Sequence, residues 1–200
     1  YKQWIQTYGG TSSSSVDAAS SLVLDKQGNI LVNGRSTGNG GLDMVTIKYQ
    51  SNGTQSWLQR YSDNLSTARL YEKDPVTVDS VGNVFATGTL GSTTDIAVIK
   101  YDSAGTFKWT QTYNGAGSNS DQVLGVATDK NRNVYVTGYA TGSGSNKDYI
   151  TLAYDSSGQE LWLQLYNGNG NGNDISNAIV VDSSNNIYIT GTSDRNCSGI

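Results

Sequence analysis

Trp109-Thr-Gln-Thr-Tyr113 is one of four copies of a single pattern, Trp-x-Gln-x-Tyr, the others being Trp4–Tyr8, Trp57–Tyr61 and Trp162–Tyr166. Successive copies stand 52 or 53 residues apart. A fixed period near fifty residues marks an array of supersecondary units, each unable to bury its own apolar face alone. Trp, Gln and Tyr spaced by two point from one side of a strand. Whatever recurs once per unit is read first as part of the unit. Trp4, Trp57, Trp109 and Trp162, with Tyr8, Tyr61, Tyr113 and Tyr166, are therefore assigned to packing between units. The intervening Gln6, Gln59, Gln111 and Gln164 are assigned to backbone groups at the same junctions.

Three further landmarks recur between these copies. The first is an apolar run closed by Asp, seen at Ser21-Leu-Val-Leu-Asp25, Pro75-Val-Thr-Val-Asp79, Gly125-Val-Ala-Thr-Asp129 and Ile179-Val-Val-Asp182. Nearly continuous small apolar character reads as a strand buried on both faces. The second begins with Asn four residues after each Asp, as in Asn83-Val-Phe-Ala-Thr-Gly88 and Asn133-Val-Tyr-Val-Thr-Gly138. The tight turn between them joins antiparallel strands, with Gly or Asn at positive φ and the Asp bonding its own backbone, so Asp25, Asp79, Asp129 and Asp182 are structural turn residues. The third is Asp43–Tyr49, Asp95–Tyr101 and Asp148–Tyr154, followed by a glycine turn back to the next Trp. Four antiparallel strands per period describe a propeller blade. The expected fold is all-β, a β-propeller of about 3.8 four-stranded blades forming one partial domain over 1–200. Its repeats run approximately 4–56, 57–108, 109–161 and 162–200.

Residues 178–192 and 125–138 resemble the core motif of the bacterial β-propeller repeat family, often called seven-bladed propeller repeats, and the resemblance spans the chain through its repetition. It implies an exported or surface-associated prokaryotic protein with no common activity and no catalytic residues to carry over. In related propellers the run before the Asp lines the central channel and the Trp strand is outermost. On that assignment residues 1–8 form a lone outer strand, three full blades follow, and residues 176–191 begin another. The unfinished count leaves two arrangements, the remaining blades of a longer chain or association of several copies. Simple ring closure between copies is disfavoured, because it would set parallel neighbours where antiparallel ones are wanted; self-closure into four blades stays open.

Composition narrows function by exclusion. The formal charge is −4 and the pI about 4.6, so there is no basic surface to exchange with phosphate counterions, and a nucleic-acid partner is not expected. No stretch approaches the ~20 apolar residues of a membrane-spanning helix. The chain has no histidine, which removes a Ser-His-Asp triad and a His-ligated zinc. The single Cys197 has no intrachain disulfide partner. No enzyme is expected, although acidic residues leave a paired-carboxylate hydrolase formally open.

Variable loops on a rigid scaffold are where function concentrates. In such a blade the loops from second to third strand, and from outer strand to the next inner strand, share a face, and here they are the long ones. Ser62–Asp74 stands out by packing Arg69, Tyr71, Glu72, Lys73 and Asp74 together just before the only proline, Pro75. These five are the candidate binding residues. No cofactor is expected; calcium alone is carried forward as a weaker reading, through Asp121 and Asp174, because it takes carboxylate and carbonyl oxygens. The expected role is a non-catalytic extracellular or cell-surface module, binding protein or glycan at the long-loop face. The alternatives are a lectin-like propeller, a surface-layer or filament subunit, and a hydrolase.

Overall fold

The computed structural model describes residues 3–10, 16–38, 41–62, 73–90, 95–116, 120–142, 146–170 and 172–194. Arg69, Tyr71, Glu72 and Cys197 lie outside these residues. Among the described residues there are strands and no helices. Blade 1 is β1 (Asp17–Leu24), β2 (Ile30–Gly38), β3 (Gly41–Tyr49) and β4 (Gln55–Tyr61). Blade 2 is β5 (Val76–Val78), β6 (Val84–Leu90), β7 (Asp95–Tyr101) and β8 (Phe107–Tyr113). Blade 3 is β9 (Gln122–Thr128), β10 (Val134–Thr141), β11 (Lys147–Tyr154) and β12 (Glu160–Tyr166), and β13 (Asp174–Val181) with β14 (Ile187–Ser193) begins blade 4. Within each sheet the strands pair antiparallel in chain order, giving the up-and-down blades of a partial propeller.

The inner turns form because one carboxylate saturates them. Asp25 Oδ1 accepts the Gln27 and Asn29 amides at 3.0 and 2.9 Å, and Oδ2 accepts the Asn29 side-chain amide at 2.8 Å. Asp79, Asp129 and Asp182 hold the Asn83, Asn133 and Asn186 side chains in the same way. The residue before each Asn takes positive φ. It is Gly28 and Gly82 in the first two blades but Arg132 (φ 67°) and Asn185 (φ 66°) in the last two. The third turn thus holds an arginine where glycine is the unstrained choice.

Between blades, alternation of side chains sorts two faces. Leu31 and Met44 of blade 1 meet Val84, Ala86, Ala97 and Ile99 of blade 2. The opposite face of blade 2, with Phe85, Ile96 and Val98, meets Val123, Val134, Val136, Ile150 and Leu152 of blade 3. The period of two is thereby read out as two separate cores on either side of one sheet.

The repeating clasp crosses these interfaces. The Trp4, Trp57 and Trp109 indole N–H groups donate to the carbonyls of Ser51, Ser103 and Ser156, in the turn before the outer strand of the next blade. Each ring lies on the glycine of that turn, Gly53, Gly105 or Gly158, which has φ near 90°. A Cβ at those glycines would sit 2.8–2.9 Å from the indole. The Gln6 and Gln111 side chains donate to the carbonyls of Gly53 and Gly158 at 3.0 and 2.9 Å. Trp162 and Gln164 differ: Trp162 is 38 % exposed and rests on Tyr135, and Gln164 donates to Leu165 O.

One expectation is corrected. Residues 3–8 are not a strand. Among the described residues no strand pairs with them, and side chains, Trp4 and Gln6 foremost, hold them against blade 1. A cavity of about 420 Å³ lies between Trp4, Tyr8 and the β1–β3 surface. The inner strand of blade 2 falls within the expected run Pro75–Asp79 and is three residues long, starting after Pro75, which has no N–H to give the ladder.

Placing a side chain on positive-φ glycine, or removing one from a positive-φ arginine, should move stability in opposite directions. Gly105→Ala is expected to cost ~1–3 kcal/mol through strain and the indole clash, and Arg132→Gly to gain ~1 kcal/mol. Urea unfolding checks both, and the same sign for the two would contradict the turn geometry.

Candidate functional site

The two ends of the blades differ in kind. At the inner-turn end the aspartates are closed systems. Asp25 is buried; although burial alone would raise its carboxyl, bonds from Asn29 and Lys48 outweigh that and hold it below the ordinary carboxylate range. Lys48 Nζ reaches Asp25 Oδ2 at 3.0 Å. Lys100 donates to Ser156 O at 2.5 Å and lies over the Phe85 ring, with burial lowering its pKa. Both lysines are built into the scaffold. On exposed Asp182, bonds from the Asn186 side chain and backbone bring the carboxyl down to about 2.

The long-loop end carries the charged groups that vary between blades. Asp74 stands two residues before the first residue of the inner strand of blade 2 and is 1 % exposed. Its carboxylate accepts two parallel bonds from Arg35 of blade 1, Nε to Oδ2 and Nη2 to Oδ1, each 2.7 Å. Its amide donates to Ser20 Oγ at 2.7 Å, and its carbonyl accepts from Ser21 Oγ and the Asn33 side chain. Asn33 also donates to Thr87 O and accepts from Thr46 Oγ1. A second arginine, Arg60, donates to Asp43 Oδ2 and to the Tyr8 hydroxyl at 2.7 Å each, and to Ser36 Oγ at 2.8 Å. These planar forks fix blade 1 against its neighbours on both sides.

Asp74 is therefore withdrawn from the recognition set expected for the Ser62–Asp74 loop: its carboxylate is spent on Arg35 inside the protein. Lys73 remains exposed beside it. The aspartates expected to cooperate around calcium, Asp121 and Asp174, do not converge as a pair from loops. They head the inner strands of successive blades, and each closes its own loop. Asp121 accepts the Gly115 amide at 2.5 Å and the Thr141 amide at 2.8 Å, and Asp174 accepts the Gly168 amide at 2.7 Å. Burial raises the Asp121 carboxyl, and those two amides oppose the rise. No group of three or more Cys, Asp or Glu suited to a metal occurs among the described residues.

Arg35 and Arg60 were missed by attention to what recurs. The usable signal was the departure from it: Arg35 stands where the other blades have Thr89, Tyr139 and Thr192, and Arg60 where they have Thr7, Thr112 and Leu165.

With blades, turns and interfaces in place, comparison with known proteins agrees with the architecture. Residues 109–144 and 162–196 match the family model described as Beta-propeller repeat. The chain carries β-propeller repeats. Each matched segment begins at a tryptophan of the Trp-x-Gln-x-Tyr pattern, Trp109 or Trp162, and runs through the inner turn and the second strand of the following blade, so the family's repeat straddles two blades of the fold. No curated protein matches the chain. No helix among the described residues is long and apolar enough to cross a membrane.

Removing one partner of the buried Arg35–Asp74 fork strands the other charge. Asp74→Ala is expected to cost ~3–5 kcal/mol, whereas Lys73→Ala should stay within ~0.5 kcal/mol. Equal, small effects in chemical denaturation would remove Asp74 from the interface.

Proposed function

We propose that this propeller serves as a non-catalytic binding or scaffold module of an exported prokaryotic protein, with its long-loop face turned to a protein or glycan partner. One observation carries the reading: the two ends of the same blades are built by opposite rules. At one end four inner turns repeat an Asp–Asn lock nearly unchanged. At the other, loops of unequal length leave the sheets, and their supporting charges differ from blade to blade. A rigid frame with one variable face is the usual layout of a recognition module.

The acidic residues a hydrolase would need on that face are largely committed to structure. Asp43 and Asp74 are tied to arginines and Asp121 to two amides. Stacking of sugars on the tryptophans is likewise disfavoured, because Trp4, Trp57 and Trp109 are engaged with the next blade. Glycan recognition would fall to the loops. A second reading, as a subunit of a surface assembly, is favoured by exposed Leu165, Tyr166, Val180 and Tyr188 beside the β13–β14 sheet. The same strip would equally seat further blades of a longer chain.

Broad glycosidase and polyesterase screens on the purified protein, run beside a glycan array, test the proposal. The expected result is no turnover, with any array signal lost in an Arg69→Ala, Tyr71→Ala, Glu72→Ala triple variant that melts like the parent. Turnover abolished by a single acidic substitution would replace the module with an enzyme.

A further inference from the structure

Each blade interface repeats one arrangement at its long-loop end. One carboxylate sits near the start of a blade's third strand, and a second at the head of the next blade's inner strand. At the first interface these are Asp43 and Asp74, and each has its own arginine, Arg60 and Arg35, at 2.7 Å. At the third interface the same two places hold Asp148 and Asp174. The positions of the two arginines are there Leu165 and Tyr139, so the internal cations are gone while both acids remain.

The two carboxylates are neighbours across that interface. The residues just before them are bonded to each other, the Lys147 amide donating to Asn173 Oδ1 at 3.2 Å. Asp174 is wholly buried. Its Oδ2 is engaged by Gly168, but its Oδ1, like Oδ1 of Asp148, is shut off from water with no hydrogen-bond partner among the described residues. Burial, followed by the charge of Asp174, raises the Asp148 carboxyl. The Lys147 ammonium is turned onto the Tyr139 ring, 4.0 Å from its centre.

The middle interface shows why this pair differs. There the inner-strand aspartate, Asp121, has both oxygens occupied, the second by the Thr141 amide. In blade 4 the corresponding amide, that of Asp194, donates instead to the Asn173 carbonyl at 2.9 Å. Asp174 Oδ1 is left bare.

Two carboxylates within reach of each other's charge, each with a buried oxygen that nothing bonds, call for a positive charge or a shared proton. We propose that Asp148 and Asp174 hold a divalent cation of the calcium class, which neutralises at the blade 3–blade 4 interface the two carboxylates whose counterparts Asp43 and Asp74 are neutralised by Arg60 and Arg35. Calcium suits the site because it accepts carboxylate and carbonyl oxygens in irregular geometry. The two ligands come from different blades, so binding locks the interface.

Calcium chloride titrated into chelator-treated protein at constant ionic strength tests the assignment. Thermal unfolding should shift upward by several degrees, with half-effect at about 0.1–1 mM, the range of extracellular calcium modules. Terbium added to the native protein should luminesce on tyrosine and tryptophan excitation and be displaced by calcium. Asp148→Asn should abolish both responses. Leu165→Arg, which restores the arginine of blade 1, should raise the calcium-free melting temperature and erase the calcium shift. Asp182→Asn, in an exposed turn, should keep the shift. A calcium shift that survives both Asp148→Asn and Leu165→Arg would overturn the proposal. So would no response to calcium or terbium together with stabilisation on mild acidification, which would assign the pair a shared proton.

Discussion

An indole laid on a glycine holds this architecture together. Each blade on its own is a four-stranded sheet with two apolar faces, and neither face can be buried without a neighbour. Burial alone does not say at what angle or height the neighbour sits. The tryptophan does. Its ring occupies the space a Cβ would take on Gly53, Gly105 or Gly158, and its N–H finds the carbonyl two residues earlier. The same ring meets the tyrosine that ends the next blade's third strand, Tyr49, Tyr101 or Tyr154, with centroids about 6 Å apart. One side chain thus fixes a turn, a strand end and the spacing of two sheets. The glycine's positive φ gives the turn its shape and its missing side chain gives the indole its seat.

That arrangement explains how far the sequence could be read. The period of the tryptophans, the Asp-to-Asn spacing and the apolar runs between them are local signals, and each maps onto a strand or turn of the described blades. At residues 3–8 the pattern and the strand part company. These residues carry the complete Trp-x-Gln-x-Tyr pattern, yet they are no strand, since a strand needs a hydrogen-bonded neighbour and pattern alone supplies none. Their side chains still make the clasp, so the motif encodes the contact between blades more directly than it encodes the strand.

The electrostatics were far less legible, for a related reason. A reading that discounts whatever repeats and searches the long loops finds Lys73 and Asp74 as equals. Only the packing of β1 and β2 against the head of blade 2 shows that Asp74 faces inward onto Arg35 while Lys73 remains outside. Ion pairs between residues 17 and 39 apart, such as Arg60–Asp43 and Arg35–Asp74, leave no spacing signature. They become visible once equivalent positions of successive blades are set side by side, and the informative positions are those where the charge changes. The same alignment exposes Asp148 and Asp174 as acids whose arginines have been replaced. Sequence variation within this chain is thus concentrated where blades are tied together at the long-loop end, while the turn end stays uniform.

The most direct test of the clasp compares two tryptophans of the same Trp-x-Gln-x-Tyr pattern in different surroundings. Trp109 grips the turn of the next blade, and Trp162 rests half-exposed on Tyr135. Denaturant unfolding of Trp109→Ala and Trp162→Ala should give a loss of ~3–5 kcal/mol for the first and ~1 kcal/mol or less for the second. Equal losses, or a Trp109 effect below ~1 kcal/mol, would show that blade packing does not depend on the indole.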